Sequence, residues 1–250
     1  MLLTTLPSDN MELKEILYNG SSKVVYKGDS DDDVVIRFKD YISAFYNIKG
    51  ARIENKAKMN CAISSMVLGY LNDNGITTHF IQRLSDSDQQ CRLVKHVPIE
   101  VIVRNVIAGS MAKRLGLEEG IVPENTVFDL CLRDGELGDP LINDHHAVAL
   151  GLLSYEELAE IYEVSAKVNA LLTELYAKVG IKLVDFKIEF GRAMDGSLVL
   201  VDELTPDTCR LWDETTGERM DKDRFRRDLG RVGEVYQEVA DRLANLLNKE

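Results

Sequence analysis

The stretch VDFKIEFGRAMDGSLVLVDELTPDTCRLWD, residues 184–213, constrains the fold of this chain more than any other segment. Apolar and charged residues alternate over residues 184–190, which is the pattern of a β-strand with two chemically different faces. Asp195-Gly196 is a strong signal for a two-residue turn, and the mostly apolar run 197–201 is typical of a returning strand. The segment therefore predicts an antiparallel hairpin with one apolar face and one charged face.

The charged face of this hairpin carries Asp185, Lys187 and Glu189. A two-residue turn pairs Glu189 with Asp202, so that two carboxylates face each other across the ladder. Like charges there destabilise a sheet by up to about 1 kcal/mol. A hard divalent cation such as Mg²⁺ would compensate them, but a half-solvated strand with its polar side in water also explains the alternation. Both interpretations stay open, and the same register puts Glu203 on the apolar face, which a bulge near Asp202 would relieve.

The overall composition is that of a globular protein with an acidic surface. The chain has 250 residues, enough for one large domain or two small ones, and is 45% hydrophobic and 29% charged. Its formal net charge of −12 argues against broad electrostatic binding to nucleic acid or to an anionic membrane. No apolar run approaches the roughly 18–20 residues of a membrane span.

The N-terminus and the cysteines predict a cytoplasmic location. The opening MLLTTLPSDNMELKE lacks a charged region followed by an apolar one, so no signal peptide is expected. The four cysteines are far apart and form no CxxC pair, which favours buried, reduced thiols over disulfides or a zinc site. They are Cys61, Cys91, Cys131 and Cys209.

The element pattern predicts an α+β fold in two lobes, residues 1–96 and 97–250, built mainly from antiparallel sheets with flanking helices. The first lobe is expected to contain strands at 23–27, 34–38, 79–84 and 91–96 and a helix at 54–74. The second is expected to contain a β-rich segment at 97–109, a short helix from 110, helices at 154–179 and 223–248, and the hairpin. Ser154 and Glu157 form a capping box for the helix that follows them, and Pro98 marks a hinge between the lobes.

The stretch VRNVIAGSMAKRLG suggests an anion site. Ser110 stands where a helix N-cap is expected, and Lys113 and Arg114 then fall in the first turn, where cations oppose the helix dipole. A bound phosphate would reconcile these charges. An ordinary short helix with exposed basic residues is the open alternative.

Two loops carry further candidate residues. TPDTCRLWD places Asp207 and Arg210 just after the hairpin, where an arginine suits a carboxylate or a phosphate, although a local salt bridge explains the pair equally well. LYNGSSKVVYKG is a glycine turn followed by Lys23, and it matches neither a P-loop nor GxGxxG. The consecutive residues 144–146, Asp-His-His, are interpreted as a polar loop, because adjacent side chains rarely converge on one ion.

The chain resembles the phosphoribosylaminoimidazole-succinocarboxamide synthase (SAICAR synthetase) family of de novo purine biosynthesis. The resemblance covers nearly the whole length and rests on collinear motifs. These are LYNGSSKVVY, DYISAF, VRNVIAGSMAKRLGLEEG, DPLIND, LVDFKIEFG, VDELTPDTCRLWD and MDKDRFRRDLG. The stretches VDFKIEFG and ELTPDTCRLWD are the most specific of them.

The resemblance implies a two-lobed fold with ATP in the cleft between the lobes and adenine near residues 94–98. It implies a ligase that joins carboxyaminoimidazole ribonucleotide and L-aspartate as an amide while ATP becomes ADP and phosphate, with Mg²⁺ required. It also implies a homodimer. Phosphorylating the carboxylate of the ribonucleotide would create a leaving group for the aspartate amine, and catalysis would rest on positioning and on neutralising phosphoryl charge.

The family's site residues carry over by motif. The resemblance implies ATP phosphates at Lys23, the nucleotide at Lys187, metal near the phosphates at Glu189 and Asp202, and a second metal or the substrate carboxylate at Asp185. Of these, Asp185 and Lys187, together with Arg210, are expected to be catalytic. The residues expected to bind the ribonucleotide are Arg104, Ser110, Arg114, Asp207 and Arg210, with Asp139, Lys222 and Arg226 as further contacts.

Two departures from the family pattern stand out. Ser21 follows the loop glycine where a lysine is common, which puts one phosphate contact in doubt. Tyr46-Asn47-Ile48 replaces a glycine-rich stretch and puts the loop over the active site in doubt.

Three alternative functions stay open. They are another ATP-dependent carboxylate–amine ligase, a small-molecule kinase, and a non-catalytic nucleotide-binding regulator.

Overall fold

Two antiparallel sheets organise the chain, one in each half of the sequence. The computed structural model describes residues 14–45 and 47–247. The first sheet has five strands. In spatial order they are β1 (Ile16–Asn19), β2 (Lys23–Lys27), β3 (Asp33–Phe38), β7 (Asp88–Arg92) and β6 (Phe80–Arg83). A separate two-stranded ladder consists of β4 (Tyr41–Ala44) and β5 (Lys49–Arg52).

The second sheet has six strands, and the 12-residue strand β11 lies at its centre. In spatial order the strands are β10 (Leu141–Ile142), β9 (Val127–Leu132), β8 (Lys95–Arg104), β11 (Ile181–Arg192) and β12 (Leu198–Val201). The sixth strand, β13 (Cys209–Asp213), pairs with the first half of β11, while β12 pairs with its second half. Every residue of the charged face of β11 therefore has neighbours from other strands.

Six helices flank the sheets in the described part of the chain. They are α1 (Lys56–Asp73), α2 (Gly109–Leu115), α3 (Asp144–Ala149), α4 (Tyr155–Lys178), α5 (Asp223–Arg226) and α6 (Val232–Leu247). Among the described residues, none of these helices is both long enough and apolar enough to cross a membrane.

Helix α4 closes the apolar side of the second sheet. Its start is the predicted capping box: Ser154 Oγ accepts from the Glu157 N–H, and the Glu157 carboxylate accepts from the Ser154 N–H. The helix ends before Gly180, whose φ of 68° suits glycine. Leu172 of α4 and Phe186 of β11 are both fully buried in one continuous apolar core. The apolar face of β11 is thus held in the core, and this fixes the direction of its charged face.

The hairpin of β11 and β12 differs in register from the sequence prediction. Glu189 pairs with Val201, not with Asp202. The reason is the loop, which has three residues and not two: the Gly196 N–H donates to the Ala193 carbonyl, and Gly196 has a φ of 86°. A turn followed by a left-handed glycine is the usual three-residue hairpin closure. The bulge predicted near Asp202 is not present in this ladder: β12 ends at Val201, and Asp202, just past that end, has a left-handed φ of 74°.

The sequence predicts one continuous C-terminal helix over 223–248, and this prediction is wrong. The structure divides it into α5 and α6, and residue 248 lies outside the described part of the chain. Asp228, Gly230 and Arg231 all have positive φ values between the two helices. A right-handed helix cannot continue through left-handed residues, so the chain turns here and α6 packs against α1.

The two halves meet at several places around the predicted boundary at residues 96 and 97. Strand β8 runs through that boundary and contains Pro98, and its ladder with β11 has a register shift between Glu189 and Gly191. Thr78, from the first half, forms a parallel bridge with Leu200 of β12. These contacts bring the glycine turn between β1 and β2 over the charged face of β11.

The core position of α4 leads to a stability prediction. We expect Leu172→Ala to lower the free energy of unfolding by about 2–5 kcal/mol, because it removes buried methyl groups and leaves a cavity. The matched control is Leu150→Ala, since Leu150 is 62% exposed. Thermal unfolding followed by circular dichroism measures both variants, and equal melting temperatures for the two would contradict the core assignment.

Candidate active site

The charged face of β11 is buried, not solvated. Asp185 and Glu189 are each only 3% exposed, which excludes the interpretation of a half-solvated strand. Across the ladder with β8, Asp185 faces Arg104 and Glu189 faces Glu100. A pair of facing carboxylates therefore exists, as predicted. However, the partner of Glu189 is Glu100 on β8 and not the predicted Asp202.

Two lysines contact the carboxylates around Glu189. Lys187 Nζ contacts Glu189 and lies 2.9 Å from Asp202 and 3.2 Å from Glu100. Lys23 reaches across from β2 in the first half and contacts Asp202 together with Glu203. We call Glu100, Glu189, Asp202, Glu203 and the two lysines the lysine–carboxylate cluster.

Burial and charge together shift the protonation equilibria of this cluster. Burial alone would lower the pKa of Lys187, but the charges of Asp202 and Glu189 outweigh it and raise the pKa well above its usual value. Burial and the charge of Asp202 oppose ionisation of Glu189, yet Lys187 and His96 lower its pKa to about 2. For Glu203, burial and the neighbouring Asp202 prevail and raise the pKa to about 7.

A cleft of about 190 Å³ opens above the lysine–carboxylate cluster. Its roof is the β1–β2 turn, residues 20–22, and its floor includes Lys187, Glu189 and Asp202. The remaining lining residues are Tyr18, Lys23, Tyr41, Ile42, Ser43, Glu100, Arg133, Glu203, Asp207, Thr208 and Lys222. The cleft thus lies where the glycine turn of one half meets the central strand of the other.

The two departures from the family pattern differ in position. Ser21 lines the cleft, so the site of the missing lysine is at its roof. Of the second departure, Tyr46 lies outside the described residues, while Ile48 is 86% exposed at the surface.

The other end of the β11 face carries a group of arginines. Asp185 accepts from Arg104 Nη1 at 3.0 Å and from Arg210 Nη1 at 2.7 Å. Arg104 also donates to Asp129, and Arg210 donates to Asp223. We call Arg104, Asp129, Asp185, Arg210 and Asp223 the arginine cluster; in it, carboxylates hold each guanidinium in one orientation.

The arginine cluster explains why glycine occupies position 109. Gly109 has a φ of 55°, and a Cβ atom built there would lie 2.3 Å from Nη2 of Arg210. Any larger side chain would have to displace the Arg210 guanidinium, so the start of α2 and Arg210 are placed together.

The expectations for α2 are wrong in two respects. The N-cap is Ala108 and not Ser110, whose Oγ instead accepts a hydrogen bond from Arg104 at 3.3 Å. Lys113 and Arg114 lie in the last turn of this short helix, where the helix dipole stabilises positive charges. The predicted conflict that called for a phosphate is therefore absent, and Arg114 pairs with Asp129.

The remaining predicted residues are spread around the two clusters. Lys222 and Asp207 line the cleft. Arg226 donates to Asp223 at 2.6 Å, at the edge of the arginine cluster. Asp139 has a φ of 45° and accepts from the Asp134 N–H within its own loop, outside the cleft lining.

Several residues of the site could not be recognised from the sequence. Glu100 and Arg133 enter through strand pairing and a loop that no local pattern marks, and Arg133 Nε lies 3.2 Å from Glu189. For Glu203 the available signal is its charge at a position that the alternation assigns to the apolar face.

Of the three carboxylates predicted to hold metal, Asp185 lies apart from Glu189 and Asp202. Strand geometry places the Cα atoms of Asp185 and Glu189 about 13 Å apart, and Asp185 is held by two arginines. Within residues 14–45 and 47–247, no three His, Cys, Asp or Glu side chains are grouped around a common point suited to an ion. Glu189 and Asp202, which share Lys187, remain adjacent. The Asp-His-His sequence 144–146, predicted as a polar loop, instead begins helix α3.

Comparisons with known proteins agree with this arrangement. A model of the SAICAR synthetase family matches residues 16–243. The phosphoribosylaminoimidazole-succinocarboxamide synthase of Fusobacterium nucleatum is 53% identical over 233 residues, which are 93% of this chain and 98% of that protein.

Solved structures match as well. The crystal structure of the enzyme of that name from Ehrlichia chaffeensis has a TM-score of 0.90 at 41% identity and covers 92% of this chain and 98% of that one. A SAICAR synthetase (type-2) in complex with ADP has a TM-score of 0.89 at 41% identity, with the same coverage.

The fold and the two clusters on one strand, taken with these matches, define an ATP-using ligase with an α+β architecture. The chain belongs to the SAICAR synthetase family. The resemblance seen in the sequence motifs is confirmed.

The raised pKa of Glu203 generates a pH prediction. Native Glu203 keeps its proton up to pH about 7, whereas the ordinary value is 4.5. The folded state therefore binds the additional proton, and the free energy of unfolding falls as pH rises between these two values. We expect Glu203→Gln to flatten that fall.

The measurement is urea unfolding of wild type and Glu203→Gln at several pH values from 4.5 to 7. The control is Glu214→Gln, which changes an exposed glutamate in a turn. Identical pH slopes for wild type and Glu203→Gln would show that the proton is not held at this residue.

Proposed function

We propose that the chain joins carboxyaminoimidazole ribonucleotide and L-aspartate as an amide to give SAICAR, with ATP converted to ADP and phosphate. The observation that carries this proposal is the pair of clusters on one strand face, in a chain of this family. Lys187 of the lysine–carboxylate cluster lies on β11 two residues from Glu189 and two residues from Asp185 of the arginine cluster. A nucleotide at one end and a ribonucleotide at the other would meet at Lys187.

The lysine–carboxylate cluster is proposed to receive the ATP phosphates. Lys23 and Lys187 supply two part-buried ammonium groups that remain charged, and the glycine turn lies above them. The carboxylates keep both lysines in position, so little reorganisation is needed when phosphate oxygens arrive. The solved relative in complex with ADP supports a nucleotide site in this fold.

Glu189 and Asp202 are proposed to hold Mg²⁺. They fit this ion because they are two neighbouring, ionised carboxylates, and Mg²⁺ is usually bound by one or two carboxylates together with substrate phosphates. The ion would neutralise charge on the phosphates when it is bound. Asp185 is proposed to act at the substrate carboxylate through Arg210, since both arginines already hold it.

The arginine cluster is proposed to hold the ribonucleotide. Arg104 is 2% exposed and fixed by Asp129, Asp185 and Ser110, so it sets the shape of the pocket. Arg210, Arg114 and Arg226 are 16%, 35% and 31% exposed and can reach an anion. Lys222 and Asp207 line the cleft and are proposed to connect it with the ribonucleotide pocket. Asp139 is proposed as a contact at the outer edge of that pocket.

The chemistry follows from what these groups provide. The carboxylate of the ribonucleotide attacks the terminal phosphorus of ATP and releases ADP, which leaves an acyl phosphate. The amine of aspartate then attacks the acyl carbon, phosphate departs and the amine loses a proton. The protein's contribution is to align the carboxylate and the phosphate near Lys187 and to exclude water from the buried floor.

The proposal includes a cytoplasmic location and a homodimer. All four cysteines are free and buried, as expected for a reducing compartment. The homodimer is an expectation from family resemblance. No nucleic-acid or membrane partner is proposed.

The first test is turnover with ATP, Mg²⁺, L-aspartate and the carboxylated imidazole ribonucleotide, followed as ADP release. We expect release that depends on both acceptor substrates. Equal release without the ribonucleotide or without aspartate would favour a kinase or another carboxylate–amine ligase and overturn the proposal.

A second test changes one carboxylate. We expect Asp202→Asn to fold, because asparagine tolerates the left-handed backbone found there, and to lose turnover by about a hundredfold or more through loss of charge beside both lysines. The matched control is Asp195→Asn at the exposed tip of the same hairpin, which should keep wild-type kcat. Full activity of Asp202→Asn would remove this residue from the site.

A further inference from the structure

Asp207 lies at the centre of a buried polar group formed by two helices. Its Oδ2 lies 2.5 Å from Lys56 Nζ and accepts from Asn60 Nδ2 at 2.8 Å. Its Oδ1 accepts from the Tyr236 hydroxyl at 2.8 Å. We call Lys56, Asn60, Asp207 and Tyr236 the Asp207 hub.

Three members of the Asp207 hub are inaccessible to solvent, and Asp207 itself reaches the lining of the cleft. Lys56, Asn60 and Tyr236 are each 0% exposed. Lys56 and Asn60 belong to α1, in the first half of the chain. Tyr236 belongs to α6, the last helix of the described chain. Both oxygens of Asp207 are thus occupied by the protein's own donors, which argues against a direct role of this carboxylate in binding substrate.

The turn that contains Asp207 is tied to the active-site strand. Its Thr208 carbonyl accepts from the backbone N–H of Lys187, and its Pro206 carbonyl accepts from the backbone N–H of Lys222. Arg210 follows two residues after Thr208 and faces Asp185. A shift of this turn would therefore move Lys187, Lys222 and Arg210 together.

The cost of the Asp207 hub indicates that packing is not its only role. Removing a lysine and an aspartate from water is expensive, and an apolar pair of similar size would often stabilise a protein as well or better. The charge of Asp207 also stabilises the protonated form of Lys222. Burial lowers the pKa of that lysine, and Asp207 is the main influence that raises it.

We propose that Lys56 and Tyr236 are positioning residues of the ligase reaction: through Asp207 they hold the 205–208 turn so that Lys187, Lys222 and Arg210 are aligned over the cleft. This inference rests on the proposed function. Neither residue lines the cleft, and each contacts the 205–208 turn through Asp207.

Tyr236→Phe is the main test, because it removes one hydroxyl and keeps the buried ring. We expect kcat to fall about tenfold, the effect of a hydrogen bond to a charged group, while the KM for ATP changes less than kcat does, because Lys23 and the glycine turn, which are proposed to share the ATP phosphates with Lys187, are untouched. Lys56→Met should have the larger effect on kcat, about a hundredfold, because it leaves Asp207 without its cation.

A double-variant cycle distinguishes positioning through Asp207 from general loosening. In an Asp207→Asn background, Tyr236→Phe should change kcat by less than about twofold, since the two residues act as one unit. The control is Arg192→Met, which breaks the Arg192–Glu157 ion pair at the far end of β11. It should lower the melting temperature and leave kcat unchanged.

All assays are run well below the melting temperature of every variant. If Tyr236→Phe lowers only the melting temperature and keeps wild-type kcat, the Asp207 hub is purely structural and the inference is overturned, even if Lys56→Met fails to fold. If the wild type itself shows no substrate-dependent ADP release, the proposed function fails, and this inference with it. Only loss of kcat in the variants of an active wild type supports the inference.

Discussion

The contact of Lys187 with Glu189 and Asp202 is the interaction on which the rest of the site depends. Three carboxylates, those of Glu100, Glu189 and Asp202, surround the Lys187 ammonium group, and Lys23 from the other half of the chain and Arg133 add the further positive charge that this arrangement needs. Removal of either lysine would leave like charges facing one another in a partly buried environment. The two halves are therefore joined electrostatically at the point where the cleft forms.

The central position of β11 makes this arrangement precise. Its apolar side chains, such as Phe186 and Ile188, are locked into the core by α4, so the alternating charged residues cannot turn away. Strand pairing then supplies the partners: Glu100 and Arg104 from β8 and Arg210 from β13. The same face presents a lysine–carboxylate cluster at one end and an arginine cluster at the other, as a reaction between a nucleotide and a second anionic substrate requires.

Local patterns were enough for much of the fold. The Ser154–Glu157 capping box, the alternation in β11 and the apolar spacing of α1 and α4 all depend on neighbours within a few residues, and each was predicted. Two of the errors arose where one backbone angle decides the outcome. A left-handed Gly196 added a residue to the hairpin loop and shifted its register by one, and left-handed residues around Gly230 divided the last helix.

By itself the sequence determined which residues are charged where a core is expected, and its motifs were sufficient to identify the family, because alternation and motif order are written directly in the chain. The tertiary structure decided what those charges face. It paired Glu189 with Glu100, brought Lys23 to Asp202 across 179 residues and enclosed Asp207 between α1 and α6. Such contacts join segments that are distant along the chain, and their geometry depends on how whole sheets and helices pack, which no local pattern encodes.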